Sequence, residues 1–392
     1  MRVLHAIPSV SLADGGPSQA IATIERALSD AGISVTTVTT DSDGRRRRLG
    51  KSAMPAEVNG AERVYLRKWT DVYKVAPGAV PWLWRNVRRF DVIHIHALFS
   101  FTSVAAGAIA CLRGVPFVVR PLGTLARYGV TQRRPLLKRM SLALIEGPIL
   151  RRAGFVHCTS RSELEEARLH GVPFRGGVIP LGVDLPKIAA STSASRYLGP
   201  GGAGRRVLFL SRIDPKKNIE GLLRAFAIVA RRRPGTVLRI AGAGSSEYIS
   251  GLMALTKELS IAGSVEWLGH VEGDAKAASF ASADVFVLPS FSENFGIAVV
   301  EAMLAGVPCI VGQGVGIAEE SQAAGASLAV APEPDAIADA LSHLLEDDEG
   351  RRHMGEKARS WAEREYSTRT MALRLLDLYA TLVAPPHQSV AA

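Results

Sequence analysis

Short apolar runs rich in Val, Ile and Leu alternate with segments of helical period along nearly the whole chain, and this alternation admits few architectures. A short continuous apolar run is buried on both faces as a strand, and strands separated by helices pair in parallel because the chain must cross over between them. The first half predicts strands near 2–7, 33–39, 91–95, 116–120, 154–158 and 177–179, with helices near 17–31, 100–113, 135–152 and 160–170. The second predicts strands near 206–211, 236–241, 264–267, 284–288, 307–311 and 327–330, with helices near 219–233, 246–261, 274–282, 297–305 and 334–347. Each half is then a doubly wound α/β sheet, and 392 residues suffice for two such cores.

Between the halves lies "LPKIAASTSASRYLGPGGAGRR", residues 185–206, rich in Ser, Ala, Gly and Pro and weak in periodicity. That composition reads as a linker, so the domains are expected at 1–190 and 191–366. No heptads or short tandem repeats are evident. Ligands of doubly wound sheets bind beyond the carboxyl ends of the strands, and in two facing domains those ends line one cleft.

Net charge is +10, which favours an anionic partner. The run Arg45–Arg48 lacks interleaved aromatics, so it reads as a solvated loop and nucleic acid is not expected. A second basic group, Arg133, Arg134, Lys138 and Arg139, flanks the apolar "PLLKRMSLALIEGPIL". Such a segment suits an anionic membrane surface, or equally a core-facing helix with snorkelling basic side chains. Cys111, Cys158 and Cys309 are widely spaced without a CxxC pattern, as expected of buried thiols in a reducing compartment. "MRVLHAIPSV" reads as a first strand rather than a leader, and the apolar stretch 97–114 is marginal in length and carries Ser and Thr, so no membrane span is expected. The expected location is the cytoplasm, or the inner face of the plasma membrane.

The stretch "SENFGIAVVEAM" sets Glu293 and Glu301 eight positions apart around Gly296. "DVFVLPS" reads as a strand and "IAVVEAMLAG" as a helix closed by Gly306. Gly296, with Asn294, Phe295 and Ile297 around it, then stands at a helix start whose amides favour an anion. Carboxylates beside a phosphate must contact its hydroxyl-bearing neighbours, which describes a nucleotide sugar: Glu301 on the ribose, Glu293 on the hexose. One solvent-facing and one capping glutamate would produce the same local pattern.

Cations are supplied by "VLFLSRIDPKKNIEGLLRAF", where Arg212 follows a strand and Lys217 precedes a helix that Asn218 can cap. Both leave the sheet at its carboxyl end and can converge on a diphosphate. Gly15 and Gly16 follow the first strand, just before Pro17, as a tight turn or as exposed amides for a sugar. In "FDVIHIHALFSF", strand alternation puts His94 and His96 on one face with His96 nearer the tip. No third ligand stands at metal-site spacing, so no metal is expected. Gly242 and Gly244 in "LRIAGAGSSEY" read either as a dinucleotide signal, weakened because Glu247 stands where GxGxxG requires its third glycine, or as a glycine-rich turn over the nucleotide or sugar of the donor.

Together "GGP", "DVIHIH", "RPLGTL", "HCTSRSE", "IPLGVD", "LFLSRIDPKKN", "IAGAG", "VEWLGHV" and "PSFSENFGIAVVEAMLAGVPCIV" occur in an order that resembles the retaining glycosyltransferases of the GT-B fold, in particular family 4. The resemblance covers nearly the whole chain. It implies two Rossmann-like domains facing across a cleft, the second binding a nucleoside-diphosphate sugar. It implies further that Glu293 and Glu301 are the paired glutamates, that Arg212 and Lys217 bind the diphosphate, and that Gly15 and Gly16 lie near the transferred sugar. A last helix, within 367–392, would return to the N-terminal domain. The chain departs from many relatives at Leu122 in "RPLGTL", where they carry His or Arg; Arg120 or His96 would have to supply that polar contact on the acceptor side, with His94 nearby.

The expected activity is hexosyl transfer with retention, without cofactor or metal, in bacterial polysaccharide or lipid-linked glycan synthesis. Glu293, Arg212, Lys217 and His96 are the expected catalytic residues. A sugar-nucleotide epimerase, a nicotinamide dehydrogenase and a non-catalytic sugar-nucleotide binding module are the rivals. Product analysis, cofactor absorbance and absence of turnover, respectively, distinguish them.

Overall fold

The computed structural model describes residues 1–11, 16–43, 56–125, 135–184 and 204–384. Gly15, Arg45–Arg48, Arg133, Arg134 and the linker boundary near 190 lie outside the described residues. The chain divides into two compact units: residues 1–182 together with the helix Thr368–Val383, and Val183–Ser367.

The first unit is built on an eight-stranded sheet in the order β3-β4-β2-β1-β5-β6-β7-β8. The strands are β1 (Arg2–Ala6), β2 (Ser34–Thr40), β3 (Ala56–Val58), β4 (Ala61–Leu66), β5 (Val92–His96), β6 (Phe117–Arg120), β7 (Phe155–Cys158) and β8 (Gly176–Val178). All pairings are parallel except β3 with β4. One apolar layer joins β5 and β6 to the helix Phe101–Arg113 through Ile93, Ile95, Val119, Ala106 and Ile109. The opposite layer joins Val3 and Val118 to Ile24 and Leu28 of the helix Gly16–Asp30, and to Met371, Leu375 and Tyr379 of the helix Thr368–Val383.

Strands β3 and β4 went unpredicted because "AERVYL" mixes charge with apolar residues. Arg63 is nonetheless buried, since Glu25 from the first helix meets it in a 2.5 Å ion pair. The helical stretch expected at 135–152 is interrupted: Pro135–Ser141 and Gly147–Arg152 are α-helical, and Leu142–Glu146 between them is π-helical.

The second unit carries a six-stranded parallel sheet in the order β11-β10-β9-β12-β13-β14. Its strands are β9 (Arg206–Leu210), β10 (Val237–Ala241), β11 (Val265–Gly269), β12 (Val285–Leu288), β13 (Cys309–Gly312) and β14 (Ser327–Val330). This is the doubly wound order 3-2-1-4-5-6, in which successive strands step outward from β9 and then reverse at β12. The gap at that reversal, beyond Leu210 and Leu288, is where an open α/β sheet presents a crevice. The first unit reverses in the same way between β1 and β5.

Candidate active site

In the second unit the two loops at the strand-order reversal hold six of the predicted residues, Arg212 and Lys217 after β9 and Glu293, Asn294, Phe295 and Gly296 after β12. Arg212 leaves β9 and is exposed, without a hydrogen-bond partner among the described residues. Lys217 ends the 3₁₀ turn Pro215–Lys217, started by Pro215 and by the Asp214 carboxylate accepting from Lys216 N at 3.0 Å. Lys217 is buried, and its Nζ contacts the Glu293 carboxylate from the loop after β12. Burial, then the Arg212 and Lys216 charges, lower its pKa to about 8. Glu293 is held by its own backbone: its N–H donates to Gly314 O at 2.9 Å and its carbonyl accepts from Gly316 N at 2.8 Å.

Gly296 has φ +96° at the N-cap of the helix Ile297–Leu304, and a Cβ there would meet Val315 at 2.8 Å. Glycine is therefore required twice over, by conformation and by space. Val299 N and Val300 N donate back to Gly296 O at 2.9 and 3.3 Å, so the amides left to face an anion at this helix start are those of Ile297 and Ala298. Phe295 does not offer its ring: the side chain is buried edge-on against Tyr366, centroids 5.4 Å apart, leaving only its backbone to a ligand. Asn294 is half-buried beside it.

Glu301, on the same helix, is buried and receives Lys276 Nζ at 2.5 Å. Burial raises its pKa and Lys276 opposes that rise. Sequence reasoning missed Lys276, which lies 25 positions away on the helix Gly273–Ala281. Asn218 sits at the N-cap of Ile219–Arg232 but does not cap it; its Nδ2 donates to Pro332 O instead.

Gly242 and Gly244 are required by packing. A Cβ would stand 1.8 Å from Ser211 O at Gly242 and 2.2 Å from Ile213 O at Gly244. The two loops are joined by Ile213 N donating to Ala243 O at 2.8 Å. Their absence of side chains fixes the loop that carries Arg212.

In the first unit Gly16 opens the helix Gly16–Asp30 with open space at its Cβ. His94 and His96 do share a face, stacked with centroids 4.3 Å apart. Contrary to the expectation that no third ligand is near, His5 on β1 joins them, and the three imidazoles lie within metal-ligand reach of one another. His94, however, has both ring nitrogens engaged in hydrogen bonds, and His5 and His96 each commit one. His157 Nε2 meets Ile179 O at 2.7 Å, and a carbonyl only accepts, so that nitrogen carries the proton. His157 Nδ1 then accepts from His94 Nε2 at 3.3 Å, and His94 Nδ1 accepts from Tyr379 Oη at 2.7 Å. His5 Nδ1 and His96 Nε2 share one proton at 2.7 Å. Burial keeps all four imidazoles neutral, with His5 and His157 lowered to about 3.

Arg120 ends β6 opposite His96 on β5 and is 1% exposed. Leu122, which follows, takes φ +58° and points to no polar role. Lys138 is half-buried with its Nζ 5.6 Å from the Phe99 ring centroid, and Arg139 is exposed.

Two Rossmann-like units, each with chemistry-bearing residues at the reversal of strand order, have the GT-B architecture. The chain belongs to the group 1, or family 4, glycosyltransferases: residues 197–361 match the family "Glycosyl transferases group 1", and residues 15–182 match the "Glycosyl transferase 4-like domain". The D-inositol 3-phosphate glycosyltransferase of Pseudarthrobacter chlorophenolicus is 30% identical over 312 residues, 75% of this chain and 71% of that one. The GDP-mannose-dependent alpha-(1-6)-phosphatidylinositol monomannoside mannosyltransferase of Mycobacterium tuberculosis is 31% identical over 255 residues, 60% of this chain and 65% of that one. The match thus spans just under two thirds of the mannosyltransferase's length. Among solved structures, Anabaena HepE in complex with UDP superposes with a TM-score of 0.79 at 18% identity, covering 97% of this chain and 100% of that one. Sucrose-phosphate synthase of Thermosynechococcus elongatus gives 0.74 at 21%, covering 97% and 98%. At such identities the likeness is one of fold.

Proposed function

We propose that the protein transfers a hexosyl group from a nucleoside-diphosphate sugar to an acceptor hydroxyl with retention of configuration. The observation that carries this reading is the contact of Lys217 with Glu293 at the reversal of the second sheet, beside unpaired Arg212 and the helix start at Ile297. Arg212, Lys217 and the first helix amides stabilise the departing diphosphate, a role that needs cations and N–H groups rather than a cofactor. Glu293 accepts from the hexose hydroxyls and Glu301 from the ribose. The anomeric C–O bond to the diphosphate breaks, the acceptor oxygen bonds on the same face, and the acceptor proton passes to the departing phosphate oxygen.

The Mycobacterium tuberculosis mannosyltransferase is GDP-mannose-dependent by its name, and the Anabaena protein was solved with UDP, so the base is an outcome to be measured. Screening GDP-, UDP- and ADP-sugars for thermal stabilisation identifies the donor, because a ligand of the folded state raises apparent stability. Turnover is then lost in folded Glu293→Ala and Lys217→Ala variants; normal turnover in both would overturn the assignment. Donor consumption without acceptor, with altered sugar stereochemistry, would indicate an epimerase.

We place the acceptor at an anionic membrane surface, as a lipid-linked glycan. The segment Pro135–Glu146 turns Leu136, Leu137, Met140, Leu144 and Ile145 outward, with Leu136 74% and Leu144 72% exposed, beside exposed Arg139. A run of large apolar side chains next to a cation suits the headgroup boundary of a bilayer. No helix among the described residues is long and apolar enough to cross a membrane. Sedimentation with phosphatidylglycerol vesicles, abolished in Leu136→Ser/Leu144→Ser, tests this placement.

A further inference from the structure

Arg120 heads the largest fully buried side chains of the protein, and its Nε and Nη1 have no hydrogen-bond partner among the described residues. Glu163 is the carboxylate whose charge reaches it, yet Glu163 spends its oxygens elsewhere: Oε1 accepts from Gly123 N at 2.7 Å, and Oε2 from Thr159 N at 2.7 Å and Thr159 Oγ1 at 2.8 Å. Burial lowers the guanidinium pKa to about 10 although the Glu163 and Tyr379 charges oppose that fall, so it stays charged at neutral pH. A buried cation with open donors is strongly unfavourable unless something completes it.

Its neighbours are incomplete as well. His5 Nε2 and His96 Nδ1 are buried and unpaired, so whichever way their shared proton lies, the pair retains one N–H and one lone pair without partners. Here unmet donors outnumber unmet acceptors. A metal ion fits poorly, because His94 has both nitrogens committed to Tyr379 and His157, and Arg120 adds a positive charge. The surrounding backbone is strained: Ala97 at φ +69°, Phe99 at +56° and Leu122 at +58° adopt left-handed conformations without being glycine, all in the loops leaving β5 and β6. Strain of this kind persists where surrounding structure enforces it, commonly at ligand sites.

We propose that Arg120, with His96 beside it, binds a carboxylate or phosphate oxyanion at the carboxyl ends of β5 and β6, and that this oxyanion belongs to the acceptor. The binding site stands on the unmet donors alone; its assignment to an acceptor rests on the glycosyl-transfer reading. The guanidinium fork matches either oxyanion in a bidentate contact that is strongest when desolvated. Because Arg120 is buried, admission requires the strained loops at 97–99 and 121–123 to shift.

Inorganic phosphate, D-glucuronate and, as an uncharged control, D-glucose are titrated into the full chain carrying Arg212→Ala and Lys217→Ala, so that the second unit's cations do not report. Ionic strength is held constant with sodium chloride. The expected result is a saturable rise in Tm with one oxyanion, with apparent affinity at least about tenfold weaker after Arg120→Gln and partly retained in Arg120→Lys. In parallel, ¹H–¹⁵N imidazole spectra are expected to show His96 and His5 resonances moving to saturation. Equal stabilisation with and without Arg120, equal stabilisation by chloride, or unmoved His96 and His5 resonances would overturn the site. If Arg120→Gln does not fold, the imidazole titration of the protein retaining Arg120 decides alone. A response to phosphate only points to phosphorylated acceptors, and to glucuronate only, to uronic acids. Arg120-dependent binding without transfer to any acceptor bearing that group sinks the acceptor assignment and leaves the site; turnover without oxyanion binding sinks the site and leaves the transferase.

Discussion

Lys217 Nζ touches the Glu293 carboxylate across 76 positions of sequence, tying the loop after β9 to the loop after β12. Lys217 is buried, and its lowered pKa of about 8 sets a pH window for its use. Below that value the ammonium holds the diphosphate; above it the free protein carries a neutral amine. The prediction is that kcat/KM for the donor falls as pH rises through about 8. Lys217→Arg, which stays charged throughout, removes that descending limb whatever its effect on the maximum rate. A profile flat to pH 10 in the unaltered protein would contradict the role.

Lys276 opposes the burial that raises the pKa of Glu301. Substitution Lys276→Met leaves the raising effect unopposed, so Glu301 holds its proton to higher pH and loses acceptor capacity toward hydroxyls. Donor KM is expected to rise by about tenfold at the acid end of the pH profile and recover as pH increases, with kcat little changed. Lys276→Arg restores the low KM. A pH-independent defect would reduce Lys276 to a packing residue.

Gly244 and Gly251 make opposite predictions from the same substitution. At Gly244 a methyl group meets Ile213 O at 2.2 Å, so Gly244→Ala is expected to destabilise by about 1–3 kcal/mol and to weaken donor binding through the Arg212 loop. Gly251 lies in the exposed stretch of the helix Ser246–Glu258 with nothing within 4 Å, and Gly251→Ala is expected to stabilise by about 0.5–1 kcal/mol. Urea unfolding measures both.

The buried imidazoles predict acid sensitivity. His5 and His157 titrate near 3 when folded and near 6.5 when unfolded, so between those values only the unfolded chain binds their protons. Stability is then fully present above pH 6.5 and is lost as pH falls toward 3, by about 1.4 kcal/mol per pH unit for each such group. Urea midpoints at successive pH values check the slope, which His157→Gln should reduce by one group while its amide can still donate to Ile179 O.

Strand positions were legible because parallel strands buried on both faces read as unbroken apolar runs, as "DVFVLPS" does for Val285–Leu288. Where burial is achieved by pairing charges, the run breaks: β4 is hidden in sequence because Arg63 depends on Glu25, 38 positions earlier. The site shows the same division. Arg212, Lys217, Glu293 and Glu301 flank strand ends and helix starts, which local pattern identifies. Lys276, His5, His157 and Tyr379 matter through partners from other strands or helices, and no local spacing carries that information. Gly242 and Gly244 read as a glycine turn near the donor, and the close approach of Ser211 O and Ile213 O adds a packing requirement that no local spacing shows.

Tyr379, on the helix Thr368–Val383, donates to His94 and packs fully buried against β1 and β6 residues of the first unit. During synthesis, residues 1–182 leave the ribosome long before residue 379 exists, whereas Val183–Ser367 needs nothing made later than itself. The half translated first is therefore the half completed last, and until then its sheet has an uncovered apolar face and a histidine chain lacking its terminal donor.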